Sequence, residues 1–342
     1  MKIKIAVDAM GGDFGPSVVV PACVHALSRH PELRVILTGN ETAIEEALLG
    51  ADGRGNEQQR LLVVHTAQQV EMHELPSSAL RNKKDSSMRV AVDLVKTGSA
   101  DACVSAGNTG ALVAMAKFVL KTLPGIDRPA ICNAMPGMEK HCHLLDLGAN
   151  VNSSPEQLFQ FAVMGSVLAS ALDNRDRPSV ALLNIGEEEI KGNEKVKQTS
   201  AMLSASELNY VGFVEGDDIY QGKADVIVCD GFVGNVALKA SEGVARMLAF
   251  FAKEAYSRSL FTRAVALLSK PILVQLGRRA DPRHYNGASL LGLRGIVIKS
   301  HGSADWLSFS NAITEAVKEV KKDVPSRISQ RLEAILLKRA AV

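Results

Sequence analysis

Nine short, nearly continuous apolar runs punctuate the first two-thirds of the chain: IKIAVDA, RVILTG, LLVVHT, DACVSAG, PAICNAM, HLLDLG, VALLNIG, NYVGFV and DVIVCDG. Runs of about four to eight residues without polar alternation are strands buried on both faces. Longer amphipathic stretches separate them, as helices that cover both faces of a sheet do. The chain is therefore predicted to be α/β, with a mostly parallel, layered sheet. Helix starts are marked by Pro16 (a helix over 16–29), by Asp85-Ser86-Ser87, by Asn108-Thr109 and by Ser154-Pro155-Glu156. No Pro- or Ser-rich linker divides the chain, so residues 1–342 are read as a single two-lobed unit. Residues 234–277 break the alternation, because two helical stretches follow each other with no strand between them. They predict a helical hairpin projecting from the α/β body.

Charge and cysteine usage narrow the function. Thirty-nine Lys and Arg against 37 Asp and Glu leave a formal net charge of +2, so no global field asks for nucleic acid, and none is expected as a partner. Cys23, Cys103, Cys132, Cys142 and Cys229 are odd in number and mostly lie in apolar runs. They read as buried thiols of a reducing cytoplasm. MKIKIAVDAMGG becomes a strand and a glycine turn before it could serve as a signal peptide, and no run is apolar for about 18 residues. The expectation is a cytoplasmic protein, at most peripheral to a membrane.

Five strands end in small, glycine-bearing turns: VDAMGGDFGP (7–16), VSAGNTGA (104–111), LDLGANVN (145–152), LNIGEEEIKGNE (183–194) and CDGFVGN (229–235). Glycine there is how tight turns are made, but it also lets backbone N–H groups approach an anion at a helix N-terminus. Five together predict one long polar cleft. Gly11-Gly12-Asp13-Phe14-Gly15 departs from G-x-G-x-x-G, and the next strand ends in Thr38-Gly39-Asn40 without an acid for a ribose. NAD is disfavoured, as is ATP held by a P-loop, which is absent; no cofactor is expected. His141-Cys142-His143 sets two imidazoles on one strand face with Cys142 on the other, and no further Cys or His completes a ligand set. It reads as a partly exposed strand start, and no metal is expected. Lys191, in the loop after Gly186, is read as catalytic or phosphate-binding, because a cation beside free backbone donors suits phosphate. Lys84, in RNKKDSSM, reads equally as a solvated surface charge.

Taken in order, VDAMGGDFGP, RNKKDSSM, VSAGNTGALVA, LDLGANVN, LLNIGEEEIKGNE, VCDGFVGNVALK and YNGASLLGLRGIVIKSHG closely resemble the bacterial phosphate acyltransferases of phospholipid synthesis, from residue 1 to about 340. The resemblance implies transfer of a long fatty acyl group from an acyl carrier protein thioester to inorganic phosphate. The acyl phosphate formed would supply a downstream acyltransferase acting on glycerol 3-phosphate. It further implies a cytosolic homodimer, loosely associated with an anionic membrane surface. The fold it implies is related to the phosphotransacetylases and the isopropylmalate-type dehydrogenases. One departure is Asn152, where relatives often carry Asp.

On that reading Ser105, Asn108, Thr109 and the backbone of Gly107 and Gly110 cradle phosphate. Lys191 offsets charge, Asn235 donates to the thioester oxygen, and Asp8, Asp13, Asp146 and Asn150 shape the floor. Gly11, Gly12, Gly186, Asp230, Gly231, Gly234 and Lys84 complete the substrate-binding set. His301 is placed there for positioning more than for protonating a thiolate, which leaves readily without help. Two rivals are a non-catalytic scaffold and a metal- and NAD-dependent dehydrogenase; the second needs a ribose-reading acid and grouped aspartates that are not evident. An acidic carrier would meet Arg258, Arg263, Lys270, Arg278 and Arg279, or Arg81, Lys83 and Lys84. The hairpin carries Leu248, Phe250 and Phe251 on one arm and Val265, Leu267, Leu268, Ile272, Leu273 and Val274 on the other. That surface suits a second copy, and Leu260 and Phe261 between Arg258 and Arg263 suit shallow contact with anionic headgroups.

Overall fold

The structure is a computed structural model that describes residues 2–50, 57–273, 275 and 281–340. Its strands, in chain order, are β1 (Ile3–Asp8), β2 (Leu33–Gly39), β3 (Leu61–His65), β4 (Ala102–Ser105), β5 (Ala130–Met135), β6 (Cys142–Leu145), β7 (Ser179–Leu183), β8 (Asn209–Val214), β9 (Val226–Val228), β10 (Ala288–Leu291) and β11 (Ile296–Lys299). Each of the nine apolar runs is a strand, and the segment after the hairpin supplies two more. All pair in one sheet, ordered β3-β2-β1-β4-β11-β10-β5-β6-β9-β7-β8.

Most neighbours are parallel, with one consequence the apolar runs did not reveal. β10 is antiparallel to both β11 and β5, and β5 is antiparallel to β6. A short connection between β10 and β11, turning at Gly292 with φ +88°, permits the first reversal. Three reversals leave the block β3-β2-β1-β4-β11 running opposite to the block β6-β9-β7-β8. The five glycine turns therefore do not share one rim, as a single cleft along strand ends requires.

They share a face instead. Helices cover the sheet on both sides: α1 (Pro16–Arg29), α2 (Glu41–Gly50), α3 (Pro76–Asn82), α4 (Ser87–Lys96), α5 (Thr109–Leu120), α6 (Pro155–Asp173), α7 (Glu194–Ser204), α8 (Asp218–Gln221), α9 (Gly231–Ser257), α10 (Leu260–Leu268), then Trp306–Lys322 and Val324–Ala340. One apolar core serves the outer face of the first block and a second that of the other block. The third is continuous across both, holding Ala6, Cys103 and Val297 together with Leu144, Ile227 and Cys229. Strand side chains alternate, so residues two further along face the same way. Asp8, Ser105 and Lys299 thus lie on the face of this shared core, and loop 146–150 borders it through Leu147 and Ala149.

The helix starts read from sequence are built as expected. Asn108 caps α5, Ser86 caps α4, and Ser154 caps α6 through a reciprocal capping box with Gln157. α9 starts buried at Gly231 and Gly234, then leaves the body, with Val244, Leu248, Phe250 and Phe251 exposed. α10 packs back on α9 and stops at Ser269, so the second arm is broken rather than continuous. Val274, Arg278 and Arg279 lie outside the described residues. No described helix is long and apolar enough to cross a membrane.

Candidate active site

Asp8 ends β1, Ser105 ends β4 and Lys299 ends β11. Val7 pairs with Val104 and Ser105 with Lys299, so the three stand in a row. All are buried. The Ser105 hydroxyl donates to Asp8 Oδ2 at 2.6 Å and accepts the Gly107 N–H at 3.0 Å. Among the described residues Asp8 Oδ1 is buried with no hydrogen-bond partner, and burial pushes this carboxyl above its ordinary pKa against the pull of Ser105. The Lys299 ammonium donates to the Ala106 carbonyl at 3.1 Å and to that of Ser300. Burial lowers its pKa to about 8, so at neutral pH it remains a cation behind the Ala106–Gly107 turn.

Backbone closes over this row. A Cβ on Gly11 would lie 2.5 Å from Asp8 Oδ2 and 2.8 Å from the Gly107 nitrogen, so only glycine fits. Gly12 has φ +89°, and the exposed Asp13 donates its N–H to the Gly302 carbonyl at 2.9 Å. The Asn108 side chain is fully engaged. Its Oδ1 accepts from Ala111 N–H at 3.0 Å, and its Nδ2 donates to the carbonyls of Met72 and Glu74 at 2.8 and 3.0 Å. Asn108 thus fixes the start of α5 and leaves Thr109 and Gly110 exposed, with first-turn amides that have no acceptor inside a helix. Lys84 is exposed in the turn from α3 to α4; α3, not Lys84 itself, packs on α5.

The second block builds around a wrapped carboxylate. Asp146 Oδ1 accepts from the N–H groups of Ile131, Gly148 and Ala149 at 2.9, 3.2 and 3.0 Å. Its Oδ2 accepts the backbone and side-chain donors of Asn150 at 2.8 and 2.9 Å, and Asn150 also reaches the Pro129 carbonyl. Both residues are occupied in shaping loop 146–150. α9 begins directly upon it: a Cβ on Gly231 would meet the Asn150 carbonyl at 2.1 Å, and one on Gly234 the Asp146 carbonyl at 1.9 Å. Asp230 caps α9, accepting from Val233 N–H at 3.1 Å. Asn235 is exposed beside Gly148. Lys195, on the first turn of α7, donates to Asn152 Oδ1 at 2.5 Å and to Asp230 at 3.4 Å, which sets the loop after β7 beside the start of α9. In that loop Gly186 is buried against the Lys191 stem, Asn184 donates to the carbonyls of Gly186 and Lys191, and the Lys191 ammonium is exposed, with no ion pair among the described residues.

α9 joins the two clusters. Seven residues separate Asn235 from Glu242, which is two turns and about 10 Å along one helix face. Glu242 Oε2 lies 4.0 Å from His301 Nε2 on the first block, and Lys239 lies between, 3.4 Å from Glu242. His301 Nδ1 is 2.9 Å from the Ser303 hydroxyl, and burial lowers the ring's pKa. A mostly neutral imidazole is a poor acid at neutral pH and suits positioning.

Four residues escaped the sequence reading: Lys195, Lys239, Glu242 and Lys299. Lys299 carried a legible signal, since a lysine closing the apolar run GIVIK occupies the strand-end position that singled out Ser105. The others depend on packing between distant segments. Among the described residues, the one His/Cys/Asp/Glu group with metal-ligand spacing is His141, His143 and Asp173, at the other end of β6 from Asp146.

Comparison with known proteins agrees with this architecture. Residues 3–327 match the family described as "Fatty acid synthesis protein". The curated "Phosphate acyltransferase" of Methylococcus capsulatus is 61% identical over 335 residues, which is 98% of each chain. Among solved structures, a phosphotransacetylase from Streptococcus pyogenes superposes with TM-score 0.63 at 18% identity, covering 94% of both chains. A 4-hydroxythreonine-4-phosphate dehydrogenase from Klebsiella pneumoniae does so with TM-score 0.50 at 13% identity, covering 94% of this chain and all of that one. At such identities these two define the fold alone, an α/β fold common to phosphotransacetylases and a dehydrogenase. The chain belongs to the phosphate acyltransferase family of fatty acid synthesis proteins, and is an acyltransferase.

Proposed function

We propose that the chain moves a long fatty acyl group from an acyl carrier protein thioester to inorganic phosphate, by direct attack of bound phosphate and without a covalent enzyme intermediate. The observation that carries this reading is α9, which links an amide-rich turn set beside a buried cation to a second set presenting Asn235. Phosphate sits at the open first turn of α5, on Thr109 and Gly110, with Lys299 offsetting its charge from behind. The thioester carbonyl lies toward Asn235, whose amide donates to the developing oxyanion, and the exposed Lys191 ammonium adds positive charge there. A phosphate oxygen forms the new C–O bond, the C–S bond breaks, and the carrier thiolate departs with the electron pair. No step needs a metal or nucleotide.

The same reading assigns the exposed apolar arm of α9 to a second copy, making a homodimer, and Leu260 with Phe261 to an anionic membrane surface. The acyl phosphate would pass to an acyltransferase that esterifies glycerol 3-phosphate. The test is to incubate the purified protein with a carrier thioester and phosphate, then measure free thiol and hydroxylamine-reactive acyl phosphate. Both should appear in equal amount and only with phosphate. Thiol release without phosphate dependence would make the protein a thioesterase and overturn the reading.

A further inference from the structure

The structure completes a ligand set that the sequence leaves at two imidazoles. His141 and His143 alternate along the start of β6 and point the same way, while the thiol of Cys142 points to the opposite face, toward the Ile219 carbonyl at 3.4 Å. Thirty residues beyond His143, the last residue of α6 meets both rings. Asp173 Oδ1 lies 3.0 Å from His141 Nε2, and Oδ2 lies 2.9 Å from His143 Nε2. The three ligand atoms are within 4.8 Å of one another.

We propose that His141, His143 and Asp173 bind a borderline divalent transition-metal ion of the zinc class, at a site separate from the acyl-transfer cleft. Two imidazole nitrogens and one carboxylate oxygen are the donor set of open zinc sites, and they exclude magnesium and calcium, which require oxygen ligands. His143 is buried and His141 is half-exposed, so protein closes three positions and water can hold the fourth. The surrounding charge favours a cation. Asp173 ends a 19-residue helix, where the helix dipole is negative. The neighbouring cations Lys140 and Arg175 are taken up by Asp225, at 2.6 and 3.3 Å, which leaves Asp173 to the imidazoles. Binding at Nε2 shifts the proton of a neutral ring to Nδ1 and releases the extra proton of a charged one. Each imidazole must present an unprotonated Nε2 to the ion, so acid competes with metal. The ion would clip the start of β6 to the end of α6.

Untagged, chelator-treated full-length protein titrated with Co²⁺, a coloured stand-in for Zn²⁺, should take up one ion per chain, with visible d–d absorption that one equivalent of Zn²⁺ abolishes. His141→Ala, at a half-exposed position where the fold tolerates truncation, should weaken Co²⁺ binding by about tenfold or more, as should Asp173→Asn. Zn²⁺ should raise the melting temperature of the parent protein and not that of His141→Ala. No saturable one-to-one binding, or equal binding by both variants and the parent, overturns the site. Phosphate-dependent thiol release is measured separately and does not depend on this outcome.

Discussion

Among the described residues the Lys191 ammonium and the Asn235 amide are exposed and make no hydrogen bond or ion pair, in contrast to Asp146 and Asn150, whose polar atoms are consumed by loop 146–150. Removing an oxyanion or charge-offsetting contact costs about 3–4 kcal/mol of barrier. Lys191→Ala and Asn235→Ala should therefore each lower kcat by roughly a hundredfold or more, with unchanged melting temperature; near-normal kcat in both would remove them from the chemistry. Lys299 makes a pH-dependent prediction. Its pKa is lowered to about 8 by burial, from 10.5 for an ordinary lysine. The unfolded chain therefore binds more protons between these values, and Lys299 makes stability rise with pH across that window. Its charge at the site is lost over the same range, so the KM for phosphate should climb as pH passes about 8. Lys299→Met should raise that KM by about tenfold, equivalent to about 1.4 kcal/mol, and flatten its rise above pH 8. An unchanged pH profile in this variant would make Lys299 purely structural.

At the scale of elements, capping chemistry was plainly legible. Asn108, Ser86 and Ser154 precede their helices in the sequence as they do in space. The role of α9 was not. Its sequence shows an N-terminal glycine turn and an apolar run, but the link from Asn235 to His301 exists only because Gly231 and Gly234 let the helix lie against loop 146–150. The hairpin was legible as helices without a strand between, though not its break at Ser269. Its tip carries a prediction of its own. Leu260 and Phe261 are 83% and 76% exposed at the start of α10, and neither is needed to hold the arms together. Leu260→Glu with Phe261→Glu should release the protein from anionic liposomes in a flotation assay, while the mass of the proposed dimer and activity on a soluble carrier thioester stay unchanged. Loss of the dimer instead would assign the tip to the subunit interface.

For the whole molecule, alternation of strands and helices identified the α/β class, and the length and apolarity of the runs identified the strands. Direction was hidden, because a continuous apolar run looks the same whichever way its neighbours point. The reversals at β10 and β5 are set by the short β10–β11 connection and by long-range pairing, neither of which leaves a local signature. That is why the glycine turns read as one rim when they are two groups on one face. Net charge behaves similarly. A total of +2 conceals a local excess of cations, for Arg81 and Lys84 stand exposed around the turn from α3 to α4 while Lys83 is half-buried. α3 packs on α5, the helix whose first turn is assigned to phosphate, so an acidic carrier docking there would bring its thioester toward the cleft. Such attraction is screened within about 8 Å at physiological ionic strength. The apparent KM for the carrier thioester should therefore rise several-fold between low and moderate salt, and Arg81→Glu with Lys84→Glu should raise it further. A salt-independent KM would exclude electrostatic docking altogether. Salt dependence that survives the double substitution would move the docking surface to Arg258, Arg263 and Lys270 on the hairpin.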